Sequence, residues 1–103
     1  MTFGQRIRGL RKDLGLTQRE VAERVGIDFT YLSKIENDRG EPPSEAVIRK
    51  LAVELSASPD ELIVLAGKIP SDLAQVLVDN PDQIKYLRKL MSDHNTKGPG
   101  RKR

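Results

Sequence analysis

The chain contains no cysteine among its 103 residues. Disulfide bonds, thiolate metal sites and thiol catalysis are therefore excluded, as expected of a protein in a reducing compartment. The longest apolar run, residues 62–66, is far shorter than the roughly 20 residues that a membrane-spanning helix needs. Basic residues interrupt the N-terminal segment where a signal peptide would be apolar. We therefore expect a soluble, cytoplasmic protein with no membrane partner.

Groups typical of an enzyme site are also scarce. The single histidine, His94, lies beyond the part of the sequence with helical periodicity. No glycine-rich phosphate loop, no metal-ligand spacing and no carboxylate pair in a pocket-forming context occurs in the sequence. We predict that the protein is not an enzyme and uses neither a cofactor nor a metal.

Positive charge is concentrated at the C-terminus. The chain has 18 Lys and Arg against 15 Asp and Glu, a formal net charge of +3. Residues 94–103 contain four of the basic residues and none of the acidic ones, so the rest of the chain has a net charge of −1. Any nucleic-acid surface in the folded part must therefore arise from the placement of charges rather than from their sum.

Apolar residues recur at helical spacing along most of the chain, as in the stripe Phe3, Ile7, Leu10 and Leu14. No segment alternates apolar and polar residues long enough to indicate a strand, so we predict an all-α fold. Capping-box patterns occur at residues 2–5, 17–20, 58–61 and 80–83. Simple caps are expected at Asp28 and Ser44, and glycine stops follow several segments. The predicted helices span 2–14, 17–25, 28–37, 44–56, 59–66, 71–79 and 81–92.

Two of the predicted helices, 17–25 and 28–37, are separated by a tight turn containing Gly26. A turn of three or four residues sets the second helix steeply across the first, where it can enter the major groove of DNA. The run LTQREVAERVGI at residues 16–27, followed by YLSKIEN at 31–37, resembles the phage repressor and Cro-type helix-turn-helix domain of the xenobiotic-response-element family. The resemblance covers about residues 3–66.

This resemblance implies a five-helix, lambda-repressor-like DNA-binding domain at residues 1–67. The implied partner is double-stranded DNA, and the implied function is sequence-specific regulation of transcription, most readily repression. It also implies that helix 28–37 reads base edges with Phe29, Thr30, Ser33 and Lys34. Lys34 is suited to guanine O6 and N7, and Phe29 or the Thr30 methyl group to a thymine methyl. Phe29 is apolar, however, and packing in the core is the alternative for it.

Residues around this helix are candidates for the DNA backbone. Gln18 begins the first helix of the pair, where its amide and the free N–H groups of the helix start can hold a phosphate. The family similarly has glutamine at this position. For Tyr31 a packing role is the alternative, and Lys34 and Gln18 could instead be ordinary surface residues. The other expected phosphate contacts are Arg8, Tyr31, Asn37 and Arg39.

Arg11 and Glu36 fall on the core-facing stripes of two different helices. Opposite charges in such positions indicate a partly buried ion pair, and the family similarly joins its first and third helices. We expect a structural role for this pair.

Two further helical patterns follow Gly67, in a predicted extension at residues 68–92. A five-helix domain already encloses its core, so the apolar stripes of this extension need a partner. They could fold back onto the domain or form a homodimer, which would place two recognition helices one turn of DNA apart, roughly 34 Å. The predicted dimerisation residues are Leu73, Val76, Leu77, Ile84, Leu87 and Met91.

Residues 93–103 are predicted to be a disordered basic tail, which either adds phosphate contacts or is simply solvated. Two other functions remain open. The chain could be the antitoxin of a toxin–antitoxin pair, with the extension and tail binding the toxin, or the controller protein of a restriction–modification system.

Overall fold

The computed structural model describes residues 1–97, and the side chains of residues 1–93. All regular elements in this part of the chain are helical, which confirms the all-α prediction. The contacts divide the chain into two compact units, residues 1–70, here the N-terminal unit, and the extension that starts at Ser71. The elements are α1 (Phe3–Asp13), α2 (Gln18–Val25), α3 (Phe29–Glu36), α4 (Glu45–Glu54), α5 (Pro59–Leu65), α6 (Ser71–Asp79), a 3-10 helix (Pro81–Gln83) and α7 (Ile84–Lys97).

Helix starts in the N-terminal unit follow the predicted caps. Thr2 and Thr17 form complete capping boxes, in which each hydroxyl accepts from the amide three residues later while that residue's side chain accepts from the cap amide. The capping box predicted at residues 58–61 is incomplete, because the Glu61 side chain does not accept from the Ser58 amide. The Ser44 and Ser58 hydroxyls do accept from the amides of Val47 and Glu61. These bonds satisfy N–H groups that a helix start leaves without an intrahelical partner.

The core of the N-terminal unit combines residues from all five helices. α1 packs against α3, α2 packs against both α3 and α4, and α4 packs against α5. Leu14, the last residue of the predicted stripe of α1, is the C-cap of the helix and is 47% exposed. The buried apolar residues are Phe3, Ile7, Val21, Ala22, Val25, Leu32, Ile35, Ile48, Leu51, Ala52, Leu55, Leu62 and Ile63.

The start of α1 lies directly against the end of α3. Gly4 makes this approach possible, since a Cβ at this position would collide with the carbonyl oxygens of Ile35 and Glu36. Asp38, with φ of 55°, holds the junction by accepting from the Gly4 amide at 2.8 Å and from the Thr2 hydroxyl. The C-terminal end of α3 is therefore fixed to the N-terminal end of α1.

The extension differs from its prediction in two places, the connection between α6 and α7 and the C-terminal end of α7. Asn80 makes no side-chain cap; its amide donates backwards to the Val76 carbonyl at 3.0 Å, and a 3-10 turn precedes α7. α7 continues to Lys97, so residues 93–97 of the predicted disordered tail are helical. The predicted helix ends with its apolar stripe, which stops at Met91. The first residues after the stripe that disfavour a helix are Gly98 and Pro99, so the sequence allows the helix to continue. Residues 98–103 of the predicted tail lie outside the described residues.

No residue of α6 is buried, and the apolar side chains of α7 at Ile84, Leu87 and Met91 are between 43% and 58% exposed. None of the helices in the described part of the chain combines the length and apolar character that a membrane span requires.

Candidate nucleic-acid interface

α2 and α3 form the predicted helix-turn-helix. Gly26 ends α2 in the left-handed conformation, with φ of 81°, which costs glycine little because it has no Cβ. Asp28 then caps α3, and its carboxylate accepts from the Thr30 amide at 3.1 Å. Only residues 26–28 separate the two helices, so α3 begins at once in a new direction.

One face of α3 lies in the core and the other faces solvent. Leu32 and Ile35 are buried, whereas Thr30 and Lys34 are exposed and Ser33 is half-buried. Phe29 and Tyr31 are 37% and 36% exposed, so neither is part of the buried core. The predicted base-contacting residues Phe29, Thr30, Ser33 and Lys34 all belong to this helix.

Arg11 and Glu36 join α1 to α3. The Arg11 guanidinium donates to both Glu36 carboxylate oxygens, at 2.7 and 2.9 Å, and it also donates to the Leu16 carbonyl at 2.9 Å. The Glu36 side chain is fully buried and that of Arg11 is 11% exposed. A two-pronged pair of this kind orients α3 as well as neutralising a buried charge.

The same carboxylate also binds two of the predicted phosphate-contacting residues. The Gln18 amide donates to it at 2.9 Å, and Arg8 lies 3.5 Å away. Burial alone would raise the pKa of Glu36, but hydrogen bonds from Arg11 and Gln18, the charge of Arg11 and the hydrogen bond from Arg8 outweigh it, so the pKa lies below its ordinary value. Glu36 is therefore an anion that positions three surrounding side chains.

Asn37 extends this network to the end of α3. Its side-chain oxygen accepts from Arg8 at 2.9 Å, and its amide nitrogen donates to the Ser33 carbonyl at 2.8 Å. Arg39 is exposed in the following loop. Thus Arg8, Gln18 and Asn37 lie together around Glu36, whereas Tyr31 and Arg39 are outside this hydrogen-bonded group.

Two features of this region were not predicted from the sequence. The Arg19 guanidinium stacks over the Phe29 ring, 4.5 Å from its centroid. Asp38 binds the start of α1, and its position after a predicted helix was the available signal, since aspartate tolerates positive φ better than most residues. In the described part of the chain, no cluster of three or more His, Asp or Glu side chains could hold a metal ion.

The fold and the site define a helix-turn-helix protein. Its five helices enclose a buried core, and the second helix of the helix-turn-helix faces solvent. Comparison with known proteins agrees, because residues 4–68 match the helix-turn-helix domain family. The chain therefore belongs to the helix-turn-helix domain family.

Similar proteins carry the names of regulators. The immunity repressor protein of Bacillus phage phi105 is 43% identical over 60 residues, which are 55% of this chain and 42% of that protein. The biofilm regulator SinR, solved in complex with DNA, is 36% identical with a TM-score of 0.56 and covers 59% of this chain and 97% of the solved one. The restriction–modification controller protein C.AhdI of Aeromonas hydrophila is 40% identical with a TM-score of 0.54, covering 58% and 89%.

These similarities confirm the lambda-repressor-like helix-turn-helix fold of the N-terminal unit. The chain spans half or less of the length of the first curated relatives that it matches, between 16% and 48%.

Proposed function

We propose that this protein is a sequence-specific, double-stranded DNA-binding regulator of transcription, acting in the cytoplasm and most readily as a repressor. The observation that carries the proposal is the exposed face of α3, which is anchored at its start by Asp28 and at its end by the ion pair of Glu36. A rigid, exposed helix at the second position of a helix-turn-helix is the element that enters the major groove. The names of the repressor and regulator relatives support the same reading.

Base recognition is assigned to the side chains on α3. Lys34 is an exposed donor for guanine O6 and N7, and the Thr30 methyl group is suited to a thymine methyl. Ser33 is half-buried, and its short hydroxyl is the third polar group assigned to base contact. Phe29 presents about a third of its surface for apolar contact.

Phosphate contacts are assigned to the residues around the helix ends. The Gln18 amide has two N–H donors, and since one is used by Glu36, the other is left for a phosphate. Arg8 donates to the side-chain oxygen of Asn37, and this bond positions both side chains. Tyr31 on α3 and Arg39 in the loop after it are exposed. Pre-positioned donors of this kind fix the protein on the duplex without reading its sequence.

Selection of bound sequences from random duplexes, at two salt concentrations, tests the proposal. We expect one preferred sequence, bound at least about a thousandfold more tightly than a scrambled duplex at moderate salt. Lys34→Ala should relax the preference at one position, whereas Lys50→Ala, which removes an exposed lysine from α4, should leave the preferred sequence unchanged. Equal, weak binding to every duplex would contradict the proposal.

We further propose that the extension forms a homodimer. The stripes Leu73, Val76, Leu77 and Ile84, Leu87, Met91 run along one side of each helix, and all but the half-buried Leu77 are exposed in the single chain. Two short helices alone are too small a unit to bury such stripes, so burial requires another surface. Two copies related by a twofold axis would also match the symmetry of a palindromic DNA site.

The dimer is tested by measuring molar mass with light scattering. Leu87→Asp should convert a dimer into a monomer, since it introduces a charge into the stripe. Val78→Asp is the matched control because Val78 is exposed on the other side of α6. A chain ending at Pro70 should also be monomeric. If both Leu87→Asp and the shortened chain still have the mass of a dimer, dimerisation through the extension is excluded.

A controller role in restriction–modification is the second candidate, favoured by the likeness to C.AhdI. The antitoxin alternative assigns the exposed stripes of the extension to a toxin instead of a second copy. The neighbouring genes discriminate between them, since a restriction–modification pair favours the controller and a small toxin gene favours the antitoxin.

A further inference from the structure

Arg19 and Phe29 form a contact that links the two helices of the helix-turn-helix at their exposed starts. Arg19 is the second residue of α2 and Phe29 the first residue of α3. The guanidinium carbon lies 4.5 Å from the centre of the Phe29 ring, within the range of a cation–π contact. The side chain of Arg19 is therefore directed from the α2 start toward the tip of α3.

Among residues 1–93, no carboxylate near Arg19 forms an ion pair with its guanidinium. Glu20 is occupied by the capping box, where it accepts from the Thr17 amide at 2.8 Å. Glu23 is one helical turn after Arg19, a spacing that allows an ion pair. Within residues 1–93, whose side chains the structure describes, the only interaction found for the Arg19 guanidinium is the one with Phe29. The edge of the guanidinium thus keeps its N–H donors for a ligand.

We propose that Arg19, held flat against Phe29, is a specificity-determining residue that donates two parallel hydrogen bonds to a guanine in the major groove. The inference rests on the proposed DNA-binding function and adds a residue of α2 to the reading surface of α3. The N-terminal residues of a recognition helix are the ones that contact base edges, and Phe29 is the first residue of α3. A guanidinium stacked there presents a planar fork that matches guanine O6 and N7.

This assignment changes the role of Phe29. One face of its ring is covered by Arg19, so its main contribution is to hold the guanidinium plane rather than to read a thymine methyl by itself. Phe29 is then a positioning residue, and Arg19 is the group that touches the base. Because stacking removes rotational freedom of the arginine before binding, loss of the ring should weaken the same base preference that loss of Arg19 abolishes.

The test is selection from random duplexes with the full chain and four variants: Arg19→Lys, Phe29→Leu, the double variant that combines these two changes, and the control Arg24→Lys. Arg19→Lys keeps the charge but loses both the planar fork and the stacking. It should reduce preference for guanine at one position of each half-site about tenfold or more, with the other positions unchanged. Phe29→Leu should reduce the preference at that same position to a smaller extent. Arg24→Lys, at an exposed arginine in the last turn of α2, should have no effect.

Three outcomes would overturn the inference. If Arg19→Lys selects the same sequence as the natural chain, Arg19 contacts only phosphate or solvent. If Phe29→Leu alters a different position from Arg19→Lys, the two residues act independently. If the fold-loss of guanine preference in the double variant equals the product of the fold-losses in the two single variants, Arg19 and Phe29 are not coupled. A natural chain that selects no sequence would instead count against the proposed function. Thermal melting of each variant is the control, since an unchanged melting temperature separates lost recognition from lost folding.

Discussion

The N-terminal unit and the extension have similar helical patterns but different burial. In residues 1–70, thirteen apolar residues with 7% exposure or less form one core, and even Glu36 is 2% exposed. In α6 and α7 the apolar stripes remain largely open to solvent. Periodicity therefore predicts that a helix forms, whereas the number and arrangement of helices decides whether its apolar face is covered. We interpret the open stripes as the part of the molecule completed by association.

The largest effect expected in this comparison comes from the buried ion pair of the N-terminal unit. Arg11→Ala should destabilise the unit by about 3–5 kcal/mol, because it leaves the buried Glu36 carboxylate without its main partner. Thermal unfolding followed by circular dichroism measures this as a lowered Tm, by on the order of 10 °C or more.

The matched control for that change is Arg49→Ala. Arg49 pairs with Glu45 on the surface of α4, where both side chains are partly exposed, so we expect a change of about 0.5 kcal/mol or less. A melting temperature shifted by less than a degree in Arg11→Ala would show that the pair does not hold α1 to α3.

A leucine in each region compares the two kinds of stripe directly. Leu51→Ala should cost about 2–5 kcal/mol, since Leu51 is fully buried in the core. Leu90→Ala should cost well under about 1 kcal/mol in dilute solution, where Leu90 is 64% exposed. Chemical denaturation of both variants supplies the two values. Equal losses at low protein concentration would mean that the stripes of the extension are buried within the single chain.

Two glycines of α1 provide a finer comparison. Gly4→Ala should destabilise by about 1–3 kcal/mol, because the added methyl group meets backbone of α3 that cannot move freely. Gly9→Ala should stabilise by about 0.5–1 kcal/mol, since it lies in the same helix with no atom within 4 Å of the added Cβ. Denaturant titrations of the two variants test this opposite sign, and a stabilising Gly4→Ala would contradict the close approach.

The smallest effect is a dependence on pH. The pKa of Glu36 is lowered in the folded state, so its stabilising contribution is complete above the ordinary value of 4.5 and is lost as the pH falls through the folded value. The natural chain should therefore lose more stability between pH 5 and pH 3 than Glu36→Gln, as measured by melting at each pH. Parallel pH profiles for the two proteins would contradict this assignment.

Local signals predicted most of the N-terminal unit. The cap at Thr17, the glycine stop at Gly26 and the spacing of buried residues depend on neighbours in sequence, and the structure contains all three. The predicted cap at Asn80 is wrong, because an asparagine side chain can bond either to the end of the helix before it or to the start of the helix after it. The sequence does not decide between these two bonds. The predicted end of α7 is too early, because the apolar stripe stops before the helix does.

The site was predictable only in part, since its arrangement depends on distant residues. The core-facing stripes of their two helices predict that Arg11 pairs with Glu36. The additional bonds from Gln18 and Arg8 to Glu36, and the stacking of Arg19 on Phe29, depend on how three helices cross. The contact of Asp38 with the Gly4 amide likewise joins residues 34 positions apart, which no local pattern encodes.

The central claim is that the starts of α2 and α3 form the DNA-binding surface, and a titration of amide resonances tests it most directly. The protein would be labelled with a nitrogen isotope and titrated with its selected duplex. We expect the largest shifts at residues 17–19, 28–34 and 37–39, with α4 and α5 nearly unchanged. Shifts centred on α4 and α5, or confined to residues 71–97, would contradict it.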